Sequence, residues 1–157
     1  MEKRKICAIF GENPSELSFG YDEEYYTCTL MKYRLVSAMQ DAVAQGYTEF
    51  VSTLDEGAAM WGAEACVAMK EFRCDVTLTA APTSENQADR WHPERRERYF
   101  DLIERADGFI PACEDECGED YILKNAGRVI VVGSTEHSRI AAFVDSARLM
   151  GVEICTV

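Results

Sequence analysis

Six short β-rich runs, separated by stretches of helical period, constrain the fold of this 157-residue chain more than any other feature. They span residues 5–10, 49–53, 75–80, 108–112, 128–132 and 152–157. Ile6-Cys7-Ala8-Ile9-Phe10 and Val129-Ile130-Val131-Val132 are apolar without a break. A strand with one wet face alternates apolar and polar residues, whereas one that is apolar throughout is covered on both sides. That pattern predicts parallel strands held between two layers of helix. Pro111 has no N–H to give to a ladder, so the fourth run is expected to be short or to end there.

The intervening segments carry the complementary stripes. Met31, Leu35, Ala38, Met39 and Ala42 recur at helical spacing, and Gly46 stops that helix. Trp61, Ala65, Ala68 and Phe72 form a second stripe, and Tyr99, Leu102, Ile103 and Ala106 a third. The third helix is predicted to open at Pro93, because proline at the first helical position forfeits no hydrogen bond. Ile140, Phe143, Val144 and Ala147 form the last stripe, with Gly151 as its stop. Strands alternating with helices define an α/β chain. The expected architecture is a three-layer, Rossmann-like, doubly wound and mostly parallel sheet of order 3-2-1-4-5, with room for a sixth strand. A chain of this length is expected to make one domain, residues 1–157.

Charge and cysteine content narrow the function classes. Sixteen Lys and Arg face 28 Asp and Glu, a formal charge of −12. Such a field repels a phosphate backbone, so no nucleic-acid binding is expected. The most basic stretch, residues 90–98, is itself broken by Glu94 and Glu97. The seven cysteines are odd in number and mostly sit in apolar surroundings, as reduced thiols do. No apolar run approaches ~18 residues, and no signal-peptide pattern opens the chain. A cytoplasmic protein without membrane contact is therefore expected. Residues 113–120 carry five acids and suggest a mobile loop.

In a doubly wound sheet ligands lie beyond the carboxyl ends of the strands. Each loop there has two readings. Gly11-Glu12-Asn13-Pro14 is a tight exit turn, or a place where backbone approaches a ligand; no G-x-G-x-x-G fingerprint is present. Thr53 with Glu56 is a capping-box pattern, or a phosphate site at a helix start that Asp55 and Glu56 oppose. Gly133-Ser134-Thr135 is an N-cap, or a cradle for phosphate or ribose. Cys113 and Cys117 share one helical turn but lack two further zinc ligands, so no metal and no disulfide are expected. No G-x-S-x-G elbow occurs. Glu64 and Arg98 are the best-placed carboxylate and arginine for chemistry, with Glu64 equally readable as a buried, paired helix residue.

Several segments also share an order with one family. These are Phe10-Gly11 with Pro14 and Leu17; Phe50-Val51-Ser52 with Gly57, Trp61 and Ala63-Glu64; Pro82, Gln87, Trp91 and Arg98-Tyr99; Ala106-Asp107; and Asn125 with Ala147-Arg148 and Gly151. Through them the chain resembles the YpsA-like branch of the SLOG superfamily, named for its DNA-processing protein A and LOG (cytokinin-activating) relatives. The resemblance implies a Rossmann-like fold and a pocket for a nucleotide or nucleotide-derived small molecule. Carried across by position, that pocket draws on Gly11, Ser52, Thr53, Gln87, Trp91, Asn125, Gly133, Ser134 and Thr135. This chain departs from the family pattern at Ser52-Thr53 (usually Ser-Gly), at Ala59 (usually acidic) and at Lys124 (usually Arg). The LOG motif Pro-Gly-Gly-x-Gly-Thr-x-x-Glu is absent, so the resemblance assigns no catalytic residue. The expectation is a ligand binder or sensor with no resident cofactor. A ligand-free partner or scaffold domain, or a nucleoside or phosphoribosyl hydrolase, is the alternative. A second copy of the chain is the optional protein partner.

Overall fold

The computed structural model describes residues 5–113 and 116–157. Its strands are β1 (Ile6–Gly11), β2 (Glu49–Ser52), β3 (Thr77–Ala80), β4 (Gly108–Phe109), β5 (Arg128–Val132) and β6 (Glu153–Thr156). The helices are α1 (Tyr26–Ala44), α2 (Ala58–Lys70), α3 (Pro93–Arg105), α4 (Gly118–Asn125) and α5 (Ser138–Leu149). The strands form one sheet of order β4-β3-β2-β1-β5-β6, and every pairing is parallel.

The unbroken apolar runs are explained by the two faces of this sheet. Along β1, Cys7 and Ile9 join the core beneath α1, α2 and α3, while Ile6, Ala8 and Phe10 join the core beneath α4 and α5. Successive side chains point to opposite faces, so both sets must be apolar. Phe10 stacks on Phe143 of α5 with ring centroids 3.9 Å apart. The α1 stripe packs as its period predicts, with Leu35, Ala38, Met39 and Ala42 buried. The α5 stripe does the same, and α3 opens at Pro93 with His92 as its cap.

The fold class is as expected, but the fourth strand lies elsewhere. An order of 3-2-1-4-5 puts it beside β1; instead β4 extends the sheet beyond β3, and β5 takes the place beside β1. Asp107 fixes β4 there. Its backbone N–H donates to the Leu78 carbonyl, and its carboxylate accepts from the Leu78 N–H at 2.9 Å. The chain thus travels outward through four strands, then returns to β5 on the other side of β1.

Two helical expectations also shift. Helix α2 ends at Lys70, leaving Phe72 87% exposed rather than on the core stripe. Helix α4 closes the acidic stretch, with a capping box between Cys117 and Asp120. Residues 114 and 115 of that stretch lie outside the described residues. All seven cysteines are free, and three of them, Cys7, Cys28 and Cys66, are buried. Burial pushes the Cys7 and Cys66 thiols up to about 12, so neither is a thiolate at neutral pH. Among the described residues no helix is long and apolar enough to cross a membrane.

Candidate functional site

The reversal of winding makes β1 and β5 neighbours with Gly11 opposite Val132, so their exits open side by side. This is the switch point of the sheet, and β2 ends next to it. The exit of β1 is tied down on both sides. The Glu12 N–H donates to the Val132 carbonyl, and the Glu12 carbonyl accepts from the Ala58 N–H, each at 3.0 Å. The first free amide of α2 is therefore used within the chain.

The Glu12 side chain fills the space over Gly133. A β-carbon on Gly133, whose φ is +103°, would overlap the Glu12 carboxylate. Glu12 is only 8% exposed, and its Oε2 lies 2.8 Å from His137 Nε2. Two residues further on, Arg139 donates from Nη2 to the Gly11 carbonyl and to Glu16 Oε1, both at 2.6 Å. The two basic residues at the start of α5 are thus matched by two acidic residues of the loop after β1. Burial raises the Glu16 carboxyl, but the Arg139 hydrogen bonds outweigh it and hold that group below the usual range.

The loop after β2 is equally self-contained. Ser52 Oγ donates to the Ala59 carbonyl at 2.7 Å and accepts from the Leu54 N–H at 3.0 Å. Leu54 is fully buried with a left-handed φ of +61°, rare for a bulky side chain. Gly57 is the N-cap of α2, not Thr53; the Thr53 hydroxyl instead faces the Asp55 N–H at 3.5 Å. Glu56 pairs with Arg95, whose guanidinium lies 3.9 Å from the centre of the Tyr21 ring.

Asp55 and Glu119 are two further carboxylates of this edge. Burial pushes both up, and Arg139 opposes it in both cases. Glu56 and Glu16 add to the rise at Asp55, and Asp55 adds to the rise at Glu119. A carboxyl held protonated more readily than usual can donate to a hydroxyl or a ring nitrogen as well as accept. A group whose folded pKa is raised stabilises the fold below its unfolded pKa, and that contribution is lost as pH rises through the folded value. Asp55→Asn should therefore melt higher than the parent at neutral pH. The gap should close as pH falls toward the ordinary aspartate value of 3.8. Thermal melts across that range check it, and a gap independent of pH contradicts it.

Gly11, Ser52, Thr53, Gln87, Gly133, Ser134 and Thr135 all come to this carboxyl edge, as expected of residues that follow strands. Their roles differ. Ser134 Oγ accepts from the Glu136 N–H at 3.1 Å, and α5 starts only at Ser138, so Ser134 and Thr135 do not cap it. Both stay exposed. Gln87 is a clamp: its Oε1 accepts from the Thr83 N–H and hydroxyl at 2.8 and 2.9 Å, and its Nε2 donates to the Thr53 carbonyl at 2.9 Å. Trp91 lies on the same edge but turns toward α3, edge-on to Tyr99 at 5.4 Å. Asn125 is not brought to the group. It ends α4, just before β5 begins, at the opposite edge of the sheet, and donates to the Tyr121 carbonyl of its own helix.

Glu64 and Arg98 do meet, but in a structural network. Arg98 bonds Glu64 through Nη2 at 2.6 Å and Glu23 through Nη1 at 2.6 Å, joining α2 and α3 to the segment before α1. Burial opposes ionisation of Glu23, yet the Arg98 and Lys32 hydrogen bonds win and lower it. The Arg98 side chain is 22% exposed, between the surface and core cases. Arg98→Ala should cost about 1–3 kcal/mol in chemical denaturation, and the difference should shrink in acid as Glu23 protonates.

The fold and this edge define a Rossmann-like domain with a polar, internally charge-matched crevice at its switch point. A family model described as the YspA SLOG family (YpsA) matches residues 7–145, and the chain belongs to that family. The chain is also similar to the UPF0398 protein OB1025 of Oceanobacillus iheyensis, at 27% identity over 107 residues. That match covers 68% of this chain and 57% of the relative.

Proposed function

We propose that this protein binds the nucleoside part of a nucleotide-derived small molecule in the crevice formed by the exits of β1, β2 and β5. The observation that carries this reading is the Glu12 carboxylate, buried over Gly133 and paired with His137. A glycine exit beside basic side chains is where α/β proteins of this kind receive a ligand's anionic group. Here the chain supplies the anion itself. What remains on offer is the exposed pair Ser134 and Thr135, together with Asp55 and Glu119. These are donors and acceptors suited to sugar hydroxyls and a neutral base. A second negative charge brought close to Glu12, Asp55 and Glu16 is disfavoured by Coulomb repulsion.

The test is a thermal-shift panel of nucleosides, their monophosphates and ADP-ribose at neutral pH. A nucleoside present at a hundred times its Kd should stabilise by about 2.7 kcal/mol, a rise of roughly 5–10 °C for a chain of this size. Its monophosphate should give less. No rise with any member of the panel contradicts the reading. It would favour the ligand-free scaffold, for which the internally satisfied Ser52, Gln87 and α2 amide speak.

A further inference from the structure

Helix α3 is the outermost helix of its layer, beside the two-residue edge strand β4. Its outward side carries Phe100, 55% exposed, and Phe109 on β4 is 50% exposed next to it. Phe100 is a ridge between two concavities. One, of about 530 Å³, runs along the helix past Arg96 and Glu104; the other, of about 410 Å³, is floored by Ile103, Phe109 and Pro111. Apolar side chains grouped at one edge mark a surface meant to be covered.

The charges around Phe100 say what covers it. Arg96 and Glu104 stand one helical turn before and one turn after Phe100, on the same stripe. Among the described residues neither makes an ion pair within the chain, unlike Arg95, Arg98 and Arg105 on the same helix. Two copies of α3 laid antiparallel about a two-fold axis through Phe100 bring Arg96 of each against Glu104 of the other. A two-fold interface needs a patch complementary to itself, and a residue of each sign spaced equally about an apolar centre provides one. Helix α3 holds four arginines and four acidic residues, so its net charge is zero in a chain of formal charge −12. It is therefore a surface on which two such acidic molecules can meet without strong repulsion.

We propose that the chain forms a two-fold homodimer through α3 and the β4 edge, with Phe100 at its centre and reciprocal Arg96–Glu104 pairs on either side. The test is sedimentation velocity at tens of micromolar on the wild-type chain and four variants. The wild type should sediment at twice the 17.7 kDa chain mass. Phe100→Asp should be monomeric. Arg96→Glu and Glu104→Arg should each weaken the dimer at least tenfold by setting like charges against each other. The double variant Arg96→Glu/Glu104→Arg should recover it, because every pair is then reversed and opposite again. All three positions of substitution are on the surface or half-exposed, and circular dichroism of each variant checks that it is folded. A monomeric wild type, or a dimer untouched by Phe100→Asp, overturns the proposal. So does a double variant no better than the singles.

Discussion

Gly57→Ala is expected to lose roughly 3–5 kcal/mol of stability, combining a strained backbone with an overpacked contact. Gly57 sits at φ +93° and ψ −136°, a conformation that residues with a β-carbon rarely adopt. An added β-carbon would also overlap the Glu12 carbonyl, which is the acceptor for the Ala58 N–H at the start of α2. No flexible side chain is there to yield; the obstacle is backbone. The loss would fall on the junction of the β1 exit with α2, and so on the crevice itself. In a chain of this size the melting point should drop by about 10 °C or more. An alanine variant that melts within a degree or two of the parent would show that the loop after β1 is not held against α2 as described.

Glu12→Ala should act in the opposite sense on ligands. The carboxylate occupies the space over Gly133 and is hydrogen-bonded to His137. Removing it opens that space and leaves His137 and the loop amides to an incoming anion. Affinity for a nucleoside monophosphate should rise on the order of ten- to a hundredfold, the scale of one close charge repulsion removed from the site. The cost in stability should be only about 1–2 kcal/mol, for the lost hydrogen bond to His137. Glu12→Gln keeps the shape without the charge and should fall between parent and alanine. Titration calorimetry with one nucleoside and its monophosphate measures all three. If alanine and parent bind the monophosphate equally, the Glu12 carboxylate is not standing in for a ligand anion.

Much of this was legible in the chain because it depends on local chemistry. Pro93 announced the start of α3, since its fixed φ and missing N–H suit only a first turn. The stripes of α1 and α5 predicted their buried faces because helical period survives any tertiary arrangement. The start of α2 was not legible. Thr53 and Glu56 have the spacing of a capping box, but the helix waits until Ala58. Leu54 turns left-handed between them, and a carbonyl from far away in the sequence, that of Glu12, takes the first amide. The place of β4 was equally hidden, because a strand of two residues carries almost no pattern and its position rests on Asp107 reaching Leu78.

The candidate site divides in the same way. Residues that directly follow strands were found, because topology alone sends them to the carboxyl edge. Asn125 was assigned by family position and lies at the other edge, where a residue preceding a strand must be. Glu12, Glu16, Asp55 and Glu119, which set the electrostatics, were either read as obstacles or passed over. The signal for Glu12 and Glu16 was their closeness to Gly11 at the switch point. Glu119 had none, because α4 is short and its docking on the exit of β3 depends on Gly118 meeting the Pro82 carbonyl.

Amide chemical-shift mapping during titration of the protein with a nucleoside tests the central claim most directly. Saturable shifts should centre on Gly11, Thr53, Asp55, Gly133 and Thr135, with Asn125 and the outer face of α3 unmoved. Shifts centred on α3 and β4, or no saturable shifts with any nucleoside, would contradict the placement of a ligand site at the β1–β5 switch point.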